Sequence, residues 1–192
     1  MIAILKYNAG NITSVENAIK SLGYPIIVTD DISLLKSAEK VIFPGVGEAS
    51  SAMKYLRERN LDKLLKSLTQ PVLGICLGMQ LLCEFSEEGN TKGIGIFNTK
   101  VRKFPPKNLV PHMGWNNFTS VKGKLFQGIS KDDNCYFVHS YYAEYCEEAQ
   151  AVTDYILPFS AALQKDNFYA SQFHPEKSAK TGIKILKNFL EL

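Results

Sequence analysis

Much of what marks a specialised protein is scarce in this chain. Of its 192 residues only four are cysteine, three are histidine and one is tryptophan. The cysteines, Cys76, Cys83, Cys135 and Cys146, form no C-x-x-C pair. They suit a reducing, cytoplasmic compartment better than a disulfide framework. The histidines are too scattered for metal-ligand spacing. No apolar run approaches the roughly 20 residues of a membrane-spanning helix. Met1-Ile2-Ala3-Ile4-Leu5 stops at Lys6, without the charged start and longer apolar middle of a secretion signal. Neither sign of charge dominates: the net value of +3 is too small to argue for nucleic acid or a membrane surface as partner. The phosphate-cradling G-x-x-x-x-G-K-[ST] is missing, and so is a strong dinucleotide fingerprint, so no cofactor is expected. Repeats, low-complexity tracts and linker-like stretches are also lacking. With 45% hydrophobic residues, the chain has the material for a substantial core, and one domain over 1–192 is the expectation.

The first half alternates two kinds of pattern. Ile2–Leu5, Ile26–Val28, Val41–Phe43 and Pro71–Ile75 are short apolar runs that read as buried strands. Between them lie helical stretches: one opened by the capping box Thr13-Ser14-Val15-Glu16 and closed near Gly23, one over Ser33–Glu39, and one from Glu48 to about Ser67 with a break near Asn60. Such alternation with short turns predicts a parallel sheet flanked by helices. The second half, from about Ile94 to Gln172, is strand-like and aromatic. Tyr136–Tyr142 is its clearest strand, and Ser160–Lys165 with Phe168–Gln172 reads as a hairpin around Asp166-Asn167. Thr181–Leu190 closes the chain as a helix with Ile183, Leu186, Phe189 and Leu190 on one face.

The chemistry begins at Gly74-Ile75-Cys76-Leu77-Gly78. A cysteine stands between two glycines where an apolar strand meets a helix-like segment. A nucleophile on a sharp strand-to-helix turn needs small neighbours, because the backbone there is strained and closely packed. Such a turn exposes the sulfur at a helix N-terminus, which favours an anion, and leaves the N–H of Leu77 free to donate to an oxyanion. A buried, inert cysteine would fit the same five residues. Phe173-His174-Pro175-Glu176 decides between the two. Residues two apart in an extended chain face the same way, so Glu176 can hold one ring nitrogen of His174 while the other faces a thiol. His112 and His139 are competing bases, but neither has a carboxylate at this offset. In open α/β sheets active sites form beyond the carboxyl ends of the strands, and Pro44-Gly45-Val46-Gly47 lies at such an end, as Cys76 does.

Gly74-Ile75-Cys76-Leu77-Gly78-Met79-Gln80 with His174-Pro175-Glu176 resembles the class I, triad-type glutamine amidotransferases. Pro44-Gly45-Val46-Gly47 is similar to that family's oxyanion loop. Val110-Pro111-His112-Met113-Gly114-Trp115-Asn116 and Tyr136-Phe137-Val138-His139-Ser140-Tyr141 look like its imidazole glycerol phosphate synthase branch. The resemblance implies an α/β fold with a flavodoxin-like open, mostly parallel twisted sheet, flanked by helices and extended by an antiparallel β region. It implies a glutaminase using Cys76, His174 and Glu176, with oxyanion donors at Leu77 and in the Val46-Gly47 loop. It implies L-glutamine held by Gln80 and Glu88, with Gly45, Ser140 and Tyr141 contributing backbone. It also implies a separate (β/α)₈-barrel synthase subunit, bound as a heterodimer, that takes the ammonia. Asn11, Trp115, Asn116, Tyr136 and Lys177 would then lie near the subunit interface.

One stretch departs from the family pattern. Where that pattern runs Asp-Tyr-Gly-x-Gly-Asn, this chain has Lys6-Tyr7-Asn8-Ala9-Gly10-Asn11, with a reversed charge at Lys6 and no glycine at Asn8. The departure spares the catalytic residues and falls on a loop that should face the synthase. It leaves open a paralogous subunit that supplies ammonia to another amidation, such as that of a modified sugar. A stand-alone γ-glutamyl hydrolase using the same triad is a third reading.

Overall fold

The structure, a computed structural model, describes residues 1–8 and 12–192. Asn11, expected near the interface, lies outside the described residues. The first half runs β1 (Ile2–Leu5), α1 (Ile12–Ser21), β2 (Ile26–Thr29), α2 (Ile32–Ser37), β3 (Lys40–Phe43), α3 (Ala49–Glu58), α4 (Leu61–Ser67), β4 (Val72–Ile75) and α5 (Leu77–Leu82). The second half runs β5 (Cys83–Ser86), β6 (Thr91–Lys92), β7 (Phe97–Lys103), β8 (His112–Asn116), β9 (Ser120–Val121), β10 (Cys135–His139), β11 (Tyr141–Ala143), β12 (Ala149–Tyr155), β13 (Leu157–Lys165), β14 (Phe168–Ser171) and α6 (Ala179–Leu190).

The main sheet is ordered β2-β1-β3-β4-β14-β13-β11-β7-β5-β6. Its first five strands are parallel. From β14 onward β13, β11 and β7 continue it antiparallel. A separate two-stranded ribbon pairs β8 with β10. The inner parallel strands β1, β3, β4 and β14 are buried on both faces, and the edge strand β2 is half-buried. Alternation sends Ala3, Leu5, Val41 and Phe43 into a core beneath α3 and α4 with Met53, Leu56 and Leu65. It sends Ile2, Ile4, Ile42 and Leu73 into a second core with Val15 and Ile19 of α1 and Leu186 and Phe189 of α6. Two-sided burial explains why these strands read as continuous apolar runs. β4 sits between β3 and β14, so whatever follows it emerges at the middle of the sheet's carboxyl edge.

Three expectations change. α1 starts at Ile12, so Thr13 lies inside the helix and cannot be its cap. Tyr136–Tyr142 is two strands, β10 in the ribbon and β11 in the main sheet, with the break at Ser140. On α6 the buried set includes Ile185, while Ile183 is only partly buried against the core. The expected break near Asn60 is present: Asn60 adopts φ 54° between α3 and α4, a left-handed conformation that asparagine tolerates better than most residues.

Candidate active site

Cys76 occupies the turn between β4 and α5 with φ 53° and ψ −108°, a sparsely populated conformation for a residue with a Cβ, which costs of order 1–3 kcal/mol. The flanking glycines are required by contact. A Cβ on Gly78 would lie 1.9 Å from the Phe43 carbonyl oxygen, and one on Gly74 only 2.8 Å from Leu82 Cδ1. The helix start is thus pressed onto the end of β3. The first N–H groups of a helix have no partner within it, and here one finds an outside acceptor. Leu77 N–H, expected to be free, donates to the Gly45 carbonyl at 3.2 Å. Gly45 itself packs against the Tyr7 hydroxyl, which is buried with no hydrogen-bond partner among the described residues.

β14 runs beside β4 and leads into His174. His174 follows in extended conformation, and Pro175–Lys177 forms a short 3₁₀ turn. His174 Nδ1 and Glu176 Oε1 are 2.8 Å apart, with the side chains 2% and 1% exposed. Carboxylate oxygens accept, so Nδ1 donates and Nε2 is left for Cys76. Neither Nε2 nor Glu176 Oε2 has a hydrogen-bond partner among the described residues. Burial pulls the His174 pKa down, but the Cys76 sulfur and the Glu176 carboxylate outweigh it and hold the imidazole well above the ordinary histidine range. A protonated ring paired with the Glu176 carboxylate is the state this favours. The ribbon braces His174: its backbone N–H donates to the Tyr136 carbonyl at 2.9 Å.

A cavity of about 370 Å³ opens over the sulfur, lined by Cys76, Val46, Gly47, Leu77, Gln80, Glu88, Ser140 and Tyr141 together with Pro111, Val138 and His139. Gly45 is not among its lining residues. Glu88 Oε2 accepts from the N–H of Ala49, the first residue of α3, at 2.9 Å, while Glu48 caps the same helix through Ser50 and Ser51. Burial raises the Glu88 pKa, the Ala49 hydrogen bond opposes this, and the Glu48 charge adds to it. A cationic group entering the cavity would relieve both burdens.

Gln80 has a different setting from the expected one. It is 5% exposed, and its Nε2 donates both to the Tyr141 carbonyl and to Gln172 Oε1, each at 2.9 Å. Both of its N–H groups are committed within the protein, so it shapes the cavity wall and has no donor left for a carboxylate. Gln172 Nε2 in turn approaches Cys76 Sγ at 3.7 Å. Sequence reasoning missed Gln172, although alternation along the extended chain puts it on the same side as His174.

His112 and His139 are buried together, Nδ1 of the first 3.0 Å from Nε2 of the second. Burial lowers their pKa values, to about 4 and about 3, so both rings are neutral near pH 7. Among the described residues no cluster of histidine, cysteine and carboxylate side chains is arranged to hold a metal ion. On the ribbon's outer face Met113 is 63% and Trp115 56% exposed, with Trp115 packed edge-on against Tyr136 at 6.0 Å. Asn116 turns inward, toward His112 and the Asp154 carbonyl, and Lys177 is exposed.

Comparison with known proteins agrees over the full length. The family model described as glutamine amidotransferase class-I matches residues 4–192. The chain is 58% identical to the imidazole glycerol phosphate synthase subunit HisH of Bacteroides fragilis, covering 100% of this chain and 99% of that protein. It is 48% identical to the subunit of the same name from Haemophilus influenzae, over 99% and 96% of the two chains. Among solved structures it is similar in fold to a glutamine amidotransferase from Thermotoga maritima, with TM-score 0.67 and 17% identity over 99% of this chain and 80% of that one. The structure of PurLQS from Thermotoga maritima gives TM-score 0.72 at 13% identity, over 99% and 97%.

Proposed function

The chain belongs to the class I glutamine amidotransferase family, and within it, we infer, the protein is the glutaminase subunit of an imidazole glycerol phosphate synthase. It hydrolyses L-glutamine to glutamate and ammonia. A separate synthase chain, a (β/α)₈ barrel bound as a heterodimer, uses the ammonia to make imidazole glycerol phosphate in histidine biosynthesis. The observation that carries this reading is the cavity over Cys76, with the His174–Glu176 pair against the Cys76 side chain, in a chain that matches those subunits end to end.

The Cys76 sulfur attacks the side-chain amide carbon of glutamine. His174, holding the proton beside the sulfur, delivers it to the departing nitrogen, and ammonia leaves. Water, deprotonated by His174, then hydrolyses the γ-glutamyl thioester. Glu176 fixes the tautomer through Nδ1 and stabilises the imidazolium. Gln172 directs an N–H at the sulfur. Glu88 takes the substrate's α-ammonium group, and the Ser140-Tyr141 backbone lines the far wall. The tetrahedral oxyanion is served by Leu77 N–H and by an N–H of Val46 or Gly47. Each such donor is worth about 2.7–4 kcal/mol. Since Leu77 N–H is bonded to Gly45 O, the loop must shift before that donor can serve. Among the described residues no helix is long and apolar enough to cross a membrane, and all four cysteines are free thiols, which supports a cytoplasmic setting. The exposed face of Trp115, with Tyr136 and Lys177 near it, is the synthase-facing surface on this reading, and Asn116 lies just inside it.

The test is a glutaminase assay of the chain alone, then with its cognate barrel and the barrel's phosphoribosyl substrate. Strong stimulation is expected, and Cys76→Ala should abolish turnover in both settings. Absence of stimulation by the barrel would move the protein to another synthase. Turnover by Cys76→Ala would remove the triad assignment itself.

A further inference from the structure

The two buried histidines have no part in the triad, yet they stand in an unbroken run of hydrogen bonds. From the ribbon inward, Asn116 Nδ2 lies 3.3 Å from His112 Nε2. His112 Nδ1 is 3.0 Å from His139 Nε2, and His139 Nδ1 is 2.7 Å from the Tyr141 carbonyl. The same carbonyl receives Gln80 Nε2 at 2.9 Å. Gln80 continues to Gln172, and Gln172 to the Cys76 sulfur.

Only one arrangement of protons satisfies the run. A carbonyl can only accept, so His139 Nδ1 carries hydrogen. Its Nε2, in a neutral ring, is then an acceptor, so His112 Nδ1 carries hydrogen as well. His112 Nε2 is left to accept from the Asn116 amide. A proton added to His139 Nε2 would set two N–H groups against each other. The run is directional as far as Tyr141, where two donors converge from opposite sides on one oxygen.

The placement of its ends matters. Alternation along β8 turns Met113 and Trp115 outward and His112 and Asn116 inward. The pairing of β8 with β10 puts His112 opposite His139, at the point where β10 ends and the Ser140-Tyr141 wall of the cavity begins. We propose that His112 and His139 are positioning residues that tie the exposed ribbon to the glutamine cavity, by pinning the Tyr141 carbonyl that also anchors Gln80 and Gln172 against Cys76. A partner pressing on the outer face shifts the inner side chains of the same two strands, and the pin transmits that shift to the cavity wall. This rests on the glutaminase reading above and adds to it the means by which a bound partner is felt.

The test uses His112→Phe and Asn116→Ala. The phenylalanine keeps a ring stacked between Phe137 and Tyr155, where His112 lies at 4.9 and 4.0 Å, and removes both hydrogen bonds. With the barrel present, each variant should bind it within threefold of wild type and lose at least tenfold of its stimulation. The free chain should show KM for glutamine raised at least fivefold in each variant. The double variant should be no worse than His112→Phe alone, because both changes break one run. Stimulation and KM within twofold of wild type in both single variants, or losses that multiply in the double variant, would overturn the proposal. A thermal midpoint for Asn116→Ala near wild type separates loss of the link from loss of the fold. If the wild-type chain itself is not stimulated by the barrel, the reading of its partner fails. The link is then decided by KM in the free chain alone, where an unchanged value overturns it.

Discussion

At the scale of single residues, the site distinguishes groups that hold charge from groups that hold shape. Glu88 is the carboxylate on the cavity wall, and Ala49 N–H already stabilises one of its oxygens. Glu88→Gln keeps an oxygen for that N–H and removes only the charge. Hydrogen bonds to charged groups are worth about 1.5–3 kcal/mol, so KM for glutamine should rise by about 10- to 150-fold with kcat nearly unchanged. Steady-state kinetics decide it, and a fall in kcat at constant KM would take the α-ammonium away from Glu88. Gln172 acts on the sulfur instead. Gln172→Glu replaces the N–H aimed at Cys76 with a carboxylate oxygen, which opposes a thiolate and leaves Gln80 unaffected as a donor. Its kcat should fall by at least about 100-fold, the scale of one lost donor to developing charge, with little change in KM. Alkylation of Cys76 by iodoacetamide should slow in parallel, and unchanged alkylation would show that Gln172 does not tune the sulfur.

At the scale of elements, the elbow is the joint between β4 and α5, and its tolerance is set by backbone contacts. Gly78→Ala would drive a methyl group into the Phe43 carbonyl, which belongs to a buried strand and cannot turn aside. Overpacking of a filled core costs about 1–3 kcal/mol and sometimes more, so the urea midpoint should fall by a corresponding amount and activity should fall with it. The same joint shows what a sequence can and cannot convey. Gly74, Cys76 and Gly78 were legible because each obeys a local rule, namely a tight turn, a strained φ and a close approach. His174 and Glu176 were legible because their spacing of two survives in an extended chain. The fate of Leu77 N–H was not, since its acceptor is a carbonyl 32 positions earlier in the chain that only the packing of α5 on β3 brings near. The partners of Gln80 were hidden for a similar reason: they lie 61 and 92 positions away. The short strand Cys83–Ser86 begins immediately after α5, with no turn residue to announce it. The split at Ser140 was hidden because one aromatic, alternating run serves two different sheets.

At the scale of the molecule, a parallel half supplies the elbow and an antiparallel half supplies the wall, and the two titrate differently. His112 and His139 sit in the antiparallel half with pKa values lowered to about 4 and about 3 by burial. In an unfolded chain each returns to about 6.5. Their folded values lie below their unfolded ones, so unfolding takes up protons over that interval. The stability they contribute is complete above about pH 6.5 and is lost progressively as pH falls toward 4 and 3. Two protons taken up on unfolding correspond to a slope approaching ~2.7 kcal/mol per pH unit near pH 5. Glu48 and Glu87, held below the ordinary carboxylate range by hydrogen bonds to Ser50 and to the Lys103 N–H respectively, add to the loss at lower pH. Glu88, raised by burial, works against it. The histidine window between pH 5 and 6.5 therefore stands above the carboxylate one. His174, whose pKa burial lowers but Cys76 and Glu176 raise well above the ordinary range, stays protonated in the folded chain and opposes the loss between pH 7 and 6. Urea midpoints should therefore fall most steeply between pH 6 and 5, and His112→Phe should cut that slope by about half because one of the two protons is no longer taken up. A wild-type midpoint that is level across this range would mean that the pair is already charged in the folded protein. It would also break the single proton arrangement that runs from Asn116 to Tyr141.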